Sequence, residues 1–183
     1  SKIELIGSNL LIAQTKLWLN NSNLNKITNL FSCQNENDLL SEFFYLISNL
    51  FSVSEEYEKS NFYGYLSNYL NNNFKFNYIQ IIENYFSTDK YDNAQKLLKK
   101  INDKDQVYHW FKLKKISQII SEKESEEKAL LYIEDQFNSF KDPPINILLD
   151  MGNIYKRNKK FNESIDIYTN VLNKLDNESE IFA

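Results

Sequence analysis

A period of 35 residues runs through this chain and limits the folds open to it. Tyr85, Ile120 and Tyr155 stand 35 residues apart, and Ala94, Ala129 and Ser164 keep the same interval. So do Leu98, Ile133 and Tyr168, and Ile81, Ile116 and Met151. The chain has only four Ala, so two of them in one phase of one period is a signal and not a coincidence. Self-similarity at this spacing marks stacked helical hairpins. The small side chain in each repeat marks the place where the second helix of a hairpin lies against the first, with room for little more than a methyl or hydroxyl. Ser60, 34 residues before Ala94, carries the phase back one repeat.

One repeat shows the unit most completely. PPINILLDMGNIYKRNKKFNESIDIYTNVLNKLD, from Pro143 to Asp176, reads as helix, tight turn and helix. Leu148, Met151, Gly152 and Tyr155 fall on one face of the first helix. Asn158, Lys159 and Lys160 form a polar turn. Phe161, Ser164, Ile165, Tyr168, Val171 and Leu172 are expected to form the buried face of the second helix. Large apolar Leu148, Gly152, Tyr155, small Ser164 and aromatic Tyr168 stand at the spacing of a tetratricopeptide repeat, which this stretch resembles. The sequence departs from that motif at Asp176, where Pro is usual, at Ser117, which replaces the Gly, and at Glu126 and Gln136, where apolar residues are common.

The resemblance implies an all-α, right-handed solenoid of antiparallel helix-turn-helix repeats. Residues 1–37 are expected to form a degenerate N-terminal hairpin. Residues 38–183 then hold repeats at about 38–73, 75–103, 106–141 and 145–178. The residues assign a first helix to about 2–19 from Ile6, Leu10, Ala13, Leu17 and Trp18, and a shorter one to Leu24, Ile27, Leu30 and Phe31. A polar connector from Cys33 leads to Asp38, read as the N-cap of a third helix. There Leu39, Phe43, Phe44, Ile47, Leu50 and Phe51 make a wide apolar face expected in the core. Ser54 is read as the N-cap of the fourth helix, which presents Tyr57, Ser60, Phe62, Tyr63, Leu66 and Tyr69. Tyr78 to Phe86, Tyr91 to Ile101, Val107 to Ile120 and Ala129 to Phe140 supply the next four helices, with Asp89–Lys90 and Ser121–Ser125 as turns.

Composition removes several function classes. A net charge of −4 and a pI near 5.2 argue against broad attraction to nucleic acid or anionic membranes. No run of 18 apolar residues occurs, so no membrane-inserting helix is expected. Cys33 is the only Cys, which rules out a disulfide within the chain and a thiolate metal cluster. Phosphate-binding Gly loops, HExxH and GxSxG are absent. His109 beside Trp110 is read as a packing or surface residue. The runs Glu55, Glu56, Glu58 and Glu122, Glu124, Glu126, Glu127 lack the Gly turn of a calcium loop and suit helix N-termini. No cofactor, no metal and no catalytic role are therefore expected. Abundant Lys with a single Arg, Arg157, and many Asn and Ile follow AT-rich codon usage. The chain starts at Ser1 and closes on an incipient apolar helix near Phe182. The expectation is a soluble segment of a larger bacterial tetratricopeptide protein, cytoplasmic or periplasmic in its parent.

In tetratricopeptide proteins the first helix of each hairpin lines a concave groove. The resemblance places Tyr45, Asn49, Ile79, Glu83, Phe86, Lys114, Gln118, Asn153 and Arg157 on that side, a mixture suited to a peptide. Only Lys114, Asn153 and Arg157 match the clamp that holds a C-terminal carboxylate in some relatives. The function expected is a non-catalytic scaffold that binds a protein or peptide through this groove or an edge, with self-association through exposed solenoid ends. A structural spacer for an enzymatic or membrane-anchored domain elsewhere in the parent is the alternative. The shared register makes a direct prediction. Ala94→Leu and Ala129→Leu should each lower stability by about 1–3 kcal/mol through overpacking at the hairpin crossing. Thermal melts unchanged by both would remove the register.

Overall fold

The computed structural model describes residues 6–22, 24–28 and 35–180. Ten helices and no strand occur among them. They are α1 (Ile6–Asn20), α2 (Leu24–Thr28), α3 (Glu36–Val53), α4 (Tyr57–Leu70) and α5 (Phe76–Ser87), followed by α6 (Tyr91–Leu98), α7 (Gln106–Lys123), α8 (Glu126–Asn138), α9 (Ile145–Arg157) and α10 (Phe161–Glu180). The described residues are all-α, and α1 with α2, α3 through α6 in succession, and α9 with α10 pack as neighbours in the manner of helical repeats. Leu30, Phe31, Cys33 and Phe182, named above, lie outside the described residues, as do the side chains of Ile6, Ala13, Ile27 and Asp176. The chain divides into two compact units, Ser1–Ile119 and Ile120–Ala183.

The hairpin turns are the clearest sign of repetition. In α3, α5 and α9 the helix ends in the same way. Glu55, Asp89 and Lys159 adopt φ of 60°, 54° and 60°. The following N–H reaches back to a carbonyl five residues earlier: Glu56 to Phe51 at 2.9 Å, Lys90 to Tyr85 at 2.8 Å, and Lys160 to Tyr155 at 3.0 Å. The left-handed residue donates to the carbonyl three before it, at 3.0, 3.3 and 3.2 Å. These paired bonds define a Schellman closure, which satisfies carbonyls the helix end would leave open. The three left-handed residues lie 34 and then 70 residues apart, close to one and two periods of the sequence.

Two caps differ from the expected ones for this reason. Ser54 is not an N-cap but the C-cap of α3, inside the first closure, and α4 begins at Tyr57. Asn35 replaces Asp38 at the start of α3, its side chain accepting from the Asn37 N–H at 2.9 Å, and Asp38 sits in the first turn. Ser125 does cap α8, accepting from the Lys128 N–H at 3.2 Å, while α7 continues to Lys123.

In unit 1 the apolar core gathers Trp18, Phe76, Ile81, Ile82, Ala94, Leu98, Tyr108 and Phe111. Beside it α3, α4 and α5 meet along polar and small residues. Ser41 Oγ donates to the Ser67 carbonyl at 2.8 Å, and Ser48 Oγ donates to the Ser60 carbonyl at 2.8 Å. Asn84 Nδ2 on α5 donates to Ser60 Oγ at 2.7 Å, and Ser52 Oγ donates to Asn84 Oδ1 at 2.6 Å. Ser67 Oγ reaches Asn77 Oδ1 at 3.0 Å. Each helix supplies a pair seven residues apart, Ser41 and Ser48, Ser60 and Ser67, Asn77 and Asn84, all buried. Gly64 lies between the α4 pair, where an added Cβ would stand 2.9 Å from Ile81 Cγ1.

This contact turns the apolar face of α3 outward. Leu39, Phe43 and Leu50, expected in the core, are about half exposed or more, and so are Leu40, Leu46 and Val53. Phe44 and Phe51 turn inward, stacking on Tyr63 at 6.0 and 5.5 Å. Phe62 and Tyr69 on α4 are exposed as well.

In unit 2, α9 and α10 close on Gly152, whose carbonyl accepts from Ser164 Oγ at 2.9 Å. The Tyr168 ring covers the glycine so closely that a Cβ there would stand 2.7 Å from it. Ser164 and Val171, seven apart, are the buried residues of the α10 face. Phe161, Ile165 and Leu172, expected with them, are exposed because Ser164 sets the helix rotation. Ala129, Ile133, Ile147, Leu148 and Met151 are buried.

The left-handed turns carry a measurable cost. Glu and Lys tolerate this region less readily than Asn or Asp, and the strain is about 1–2 kcal/mol. Glu55→Gly and Lys159→Gly should therefore each raise stability by up to about 1 kcal/mol once the larger unfolded-state entropy of Gly is subtracted. Ala at the same positions should give no gain. Urea midpoints that do not move for either Gly variant would contradict this account of the turns.

Candidate interaction surface

The nine residues placed on a groove by resemblance have varied surroundings. Tyr45 is half-buried, its ring edge-on to Phe74 at 5.2 Å and to Phe76 at 6.3 Å. Burial raises its phenol above the ordinary range. Asn49 Nδ2 donates to the Tyr45 carbonyl one turn earlier at 3.1 Å. Ile79 is only 2% exposed, so it belongs to the core and lines no surface. It stands in the same packed layer as Phe76 and Ile82, which is why an apolar residue occupies that position.

Glu83 and Phe86 meet through Lys115, a residue absent from the expected set. Lys115 Nζ donates to Glu83 Oε2 at 2.6 Å and sits 4.4 Å from the Phe86 ring centroid. Their charged side chains are 12% and 27% exposed, so ammonium, carboxylate and ring form a mostly desolvated trio. Phe86 also packs against Tyr91 at 5.4 Å. Lys114 is half-buried and Gln118 exposed. In unit 2, Asn153 and Arg157 are exposed one turn apart on α9, and Asn153 Oδ1 accepts from the Tyr168 hydroxyl at 2.9 Å.

The outer side of α3 is a different kind of surface. Leu39, Phe43, Leu46, Leu50 and Val53 follow one another at steps of four, three, four and three, the spacing of a coiled-coil seam. Their exposures are 48, 55, 55, 68 and 47%. The other faces of the helix are occupied, by α4 through Ser41, Ser48, Phe44 and Phe51, and by α5 through Ser52. Sequence reasoning found Leu39, Phe43 and Leu50 but assigned them to the core, and it did not name Leu46 or Val53. The signal for their true direction was the pair Ser41 and Ser48, which marks the opposite side of the helix.

The His109 and Asp103 side chains belong to a local charged cluster. His109 Nδ1 lies 3.2 Å from Asp103 Oδ1, to which Lys112 Nζ also donates at 2.6 Å. The Lys112 hydrogen bond is the main reason the Asp103 carboxyl sits below its usual range. No group of His, Cys, Asp and Glu suited to a metal occurs among the described residues. No described helix is long and apolar enough to cross a membrane. No protein-family model matches the chain, and no curated protein does. The likeness to tetratricopeptide repeats therefore rests on residue spacing.

Tyr108 offers a pH-dependent check on how α1 is held in unit 1. Trp18 on α1 donates to Asp105 Oδ1 at 3.1 Å and packs edge-on to Tyr108 at 6.2 Å. The Tyr108 hydroxyl is buried with no hydrogen-bond partner among the described residues. Burial, and then the charge of Asp105, raise its phenol above the ordinary value. The unfolded chain loses this proton near pH ~10 while the folded chain keeps it. The stability so contributed is complete below that pH and is lost as pH rises through the folded-state value. Tyr108→Phe should leave Tm at pH 7 equal to wild type or higher, since an unpaired hydroxyl costs about 1–3 kcal/mol when buried. It should also make the fall of Tm above pH ~10 shallower. A lower Tm at pH 7 would show that the hydroxyl has a partner.

Proposed function

We propose that this chain is a non-catalytic scaffold of helical hairpins that holds another polypeptide on an exposed helix face. The reading takes the hairpins as tetratricopeptide-like turns of a right-handed solenoid in a larger bacterial protein. Three identical helix closures near the sequence period, and the burial of the small residues Ala94, Ala129 and Ser164 that keep it, support it. The observation that carries the function is the row Leu39, Phe43, Leu46, Leu50 and Val53, apolar, regularly spaced and open to solvent. Contiguous apolar surface of that size marks interaction sites, and heptad spacing suits a helical partner. The groove set is the weaker candidate, because Ile79 is buried and Glu83 and Phe86 are already engaged by Lys115.

Affinity capture from a native lysate separates the two surfaces. Phe43→Glu/Leu50→Glu should lose bound partners at least tenfold. Phe86→Ala/Arg157→Glu should retain them, with equal helicity by circular dichroism in both. Exposed substitutions such as the first pair usually alter stability by less than about 0.5 kcal/mol. Identical partner lists for wild type and both variants would leave only a spacer role.

A further inference from the structure

We infer that the occupant of the α3 face is an amphipathic helix carrying basic residues near both of its ends. The inference rests on the scaffold reading above and adds the chemistry of the partner. The row from Leu39 to Val53 covers about 21 Å at 1.5 Å per residue, so a helix of about 15 residues matches it. Its apolar side would need the same alternation of three and four to interlock.

Charge decides the rest. The hairpin of α3 and α4, residues 36–71, holds six acids, Glu36, Asp38, Glu42, Glu55, Glu56 and Glu58, against one Lys, Lys59, a formal −5 in a chain of net −4. The acids gather at the two ends of the apolar row and leave its middle uncharged. Glu36, Asp38 and Glu58 stand in first helical turns, where the helix dipole favours them. Glu42, past the first turn of α3, and Glu55 in the turn have no such reason. Glu56 pairs with Lys59, and Glu58 lies 3.8 Å from Lys90 while its side chain stays 92% exposed. A second copy presenting the same face would set acid against acid. A Lys- or Arg-flanked helix meets opposite charge at both ends.

Two synthetic helical peptides with the same Leu seam test this, one flanked by Lys and one by Glu, titrated against the full 183-residue chain by fluorescence anisotropy. The Lys peptide should bind at least tenfold tighter and weaken at least fivefold between about 50 and about 500 mM salt. Phe43→Glu/Leu50→Glu should abolish its binding, although that variant is more acidic and would strengthen a purely electrostatic contact. Glu42→Lys/Glu55→Lys/Glu58→Lys should invert the preference. Equal affinity for both peptides, no binding, or a preference that does not invert would overturn the inference. A wild-type chain that binds neither peptide but dimerises through Phe43 and Leu50 in sedimentation would make a second copy the occupant. If lysate capture still depends on Phe43 and Leu50 while the peptides fail, the scaffold reading stands and only the partner's chemistry is wrong. If neither depends on them, both fall.

Discussion

The close approach of α3 and α4 is the contact on which the rest of unit 1 depends. Ser41 and Ser48 face Ser67 and Ser60 with hydroxyl-to-carbonyl bonds of 2.8 Å, and Gly64 lies between the α4 pair. Side chains this small let two helices touch almost backbone to backbone. Once the serines point inward, the remainder of α3 has no choice. Each residue advances about 100° around a helix, so Phe43, Leu46 and Leu50 stand about 140–200° from Ser41. The outward apolar row and the inward serine pair are one geometric fact.

A polar contact of this kind stabilises less than it specifies. Each hydrogen bond contributes only about 1 kcal/mol net, whereas a buried group left unpaired costs about 1–3 kcal/mol. Asn84 shows the asymmetry: it donates to Ser60 and Asn61 and accepts from Ser52 and Gln80. A slip of α5 by one turn would strand that amide among apolar neighbours. The three heptad-spaced pairs therefore fix the register of α3, α4 and α5, while apolar burial around Ile81, Ile82 and Trp110 supplies most of the stabilisation.

The sequence made the helices, the polar turns at Asp89 and Lys159, and the small residues at Ala94, Ala129 and Ser164 readable, because periodicity and local turn chemistry are properties of neighbouring residues. The inward side of α3 was not readable by the same rule. An apolar stripe says that a face wants burial, not that this chain buries it. Ser41, Ser48, Asn77 and Asn84 look like surface residues singly and become core only through one another. Ile79 failed as a groove residue for the converse reason, since repeat register alone cannot tell the lining of a groove from the layer beneath it. Lys115 escaped notice because its partners Glu83 and Phe86 are distant in sequence.

An outward row of five large apolar side chains gives the isolated unit no stability; on the scaffold reading proposed above, its use is association. Covering on the order of 500 Å² of apolar surface returns roughly 10 kcal/mol gross. Lost translational and rotational freedom takes back about 4–15 kcal/mol. The two magnitudes overlap, so apolar area alone neither guarantees binding nor selects among helices with a suitable seam. Selection falls to the acids at the ends of the row. Like charge brought against Glu42 and Glu55 on closure opposes the wrong partner, and opposite charge speeds encounter with the right one. The serines decide that the face is open; on the reading proposed above, the leucines make covering it favourable and the glutamates decide by what.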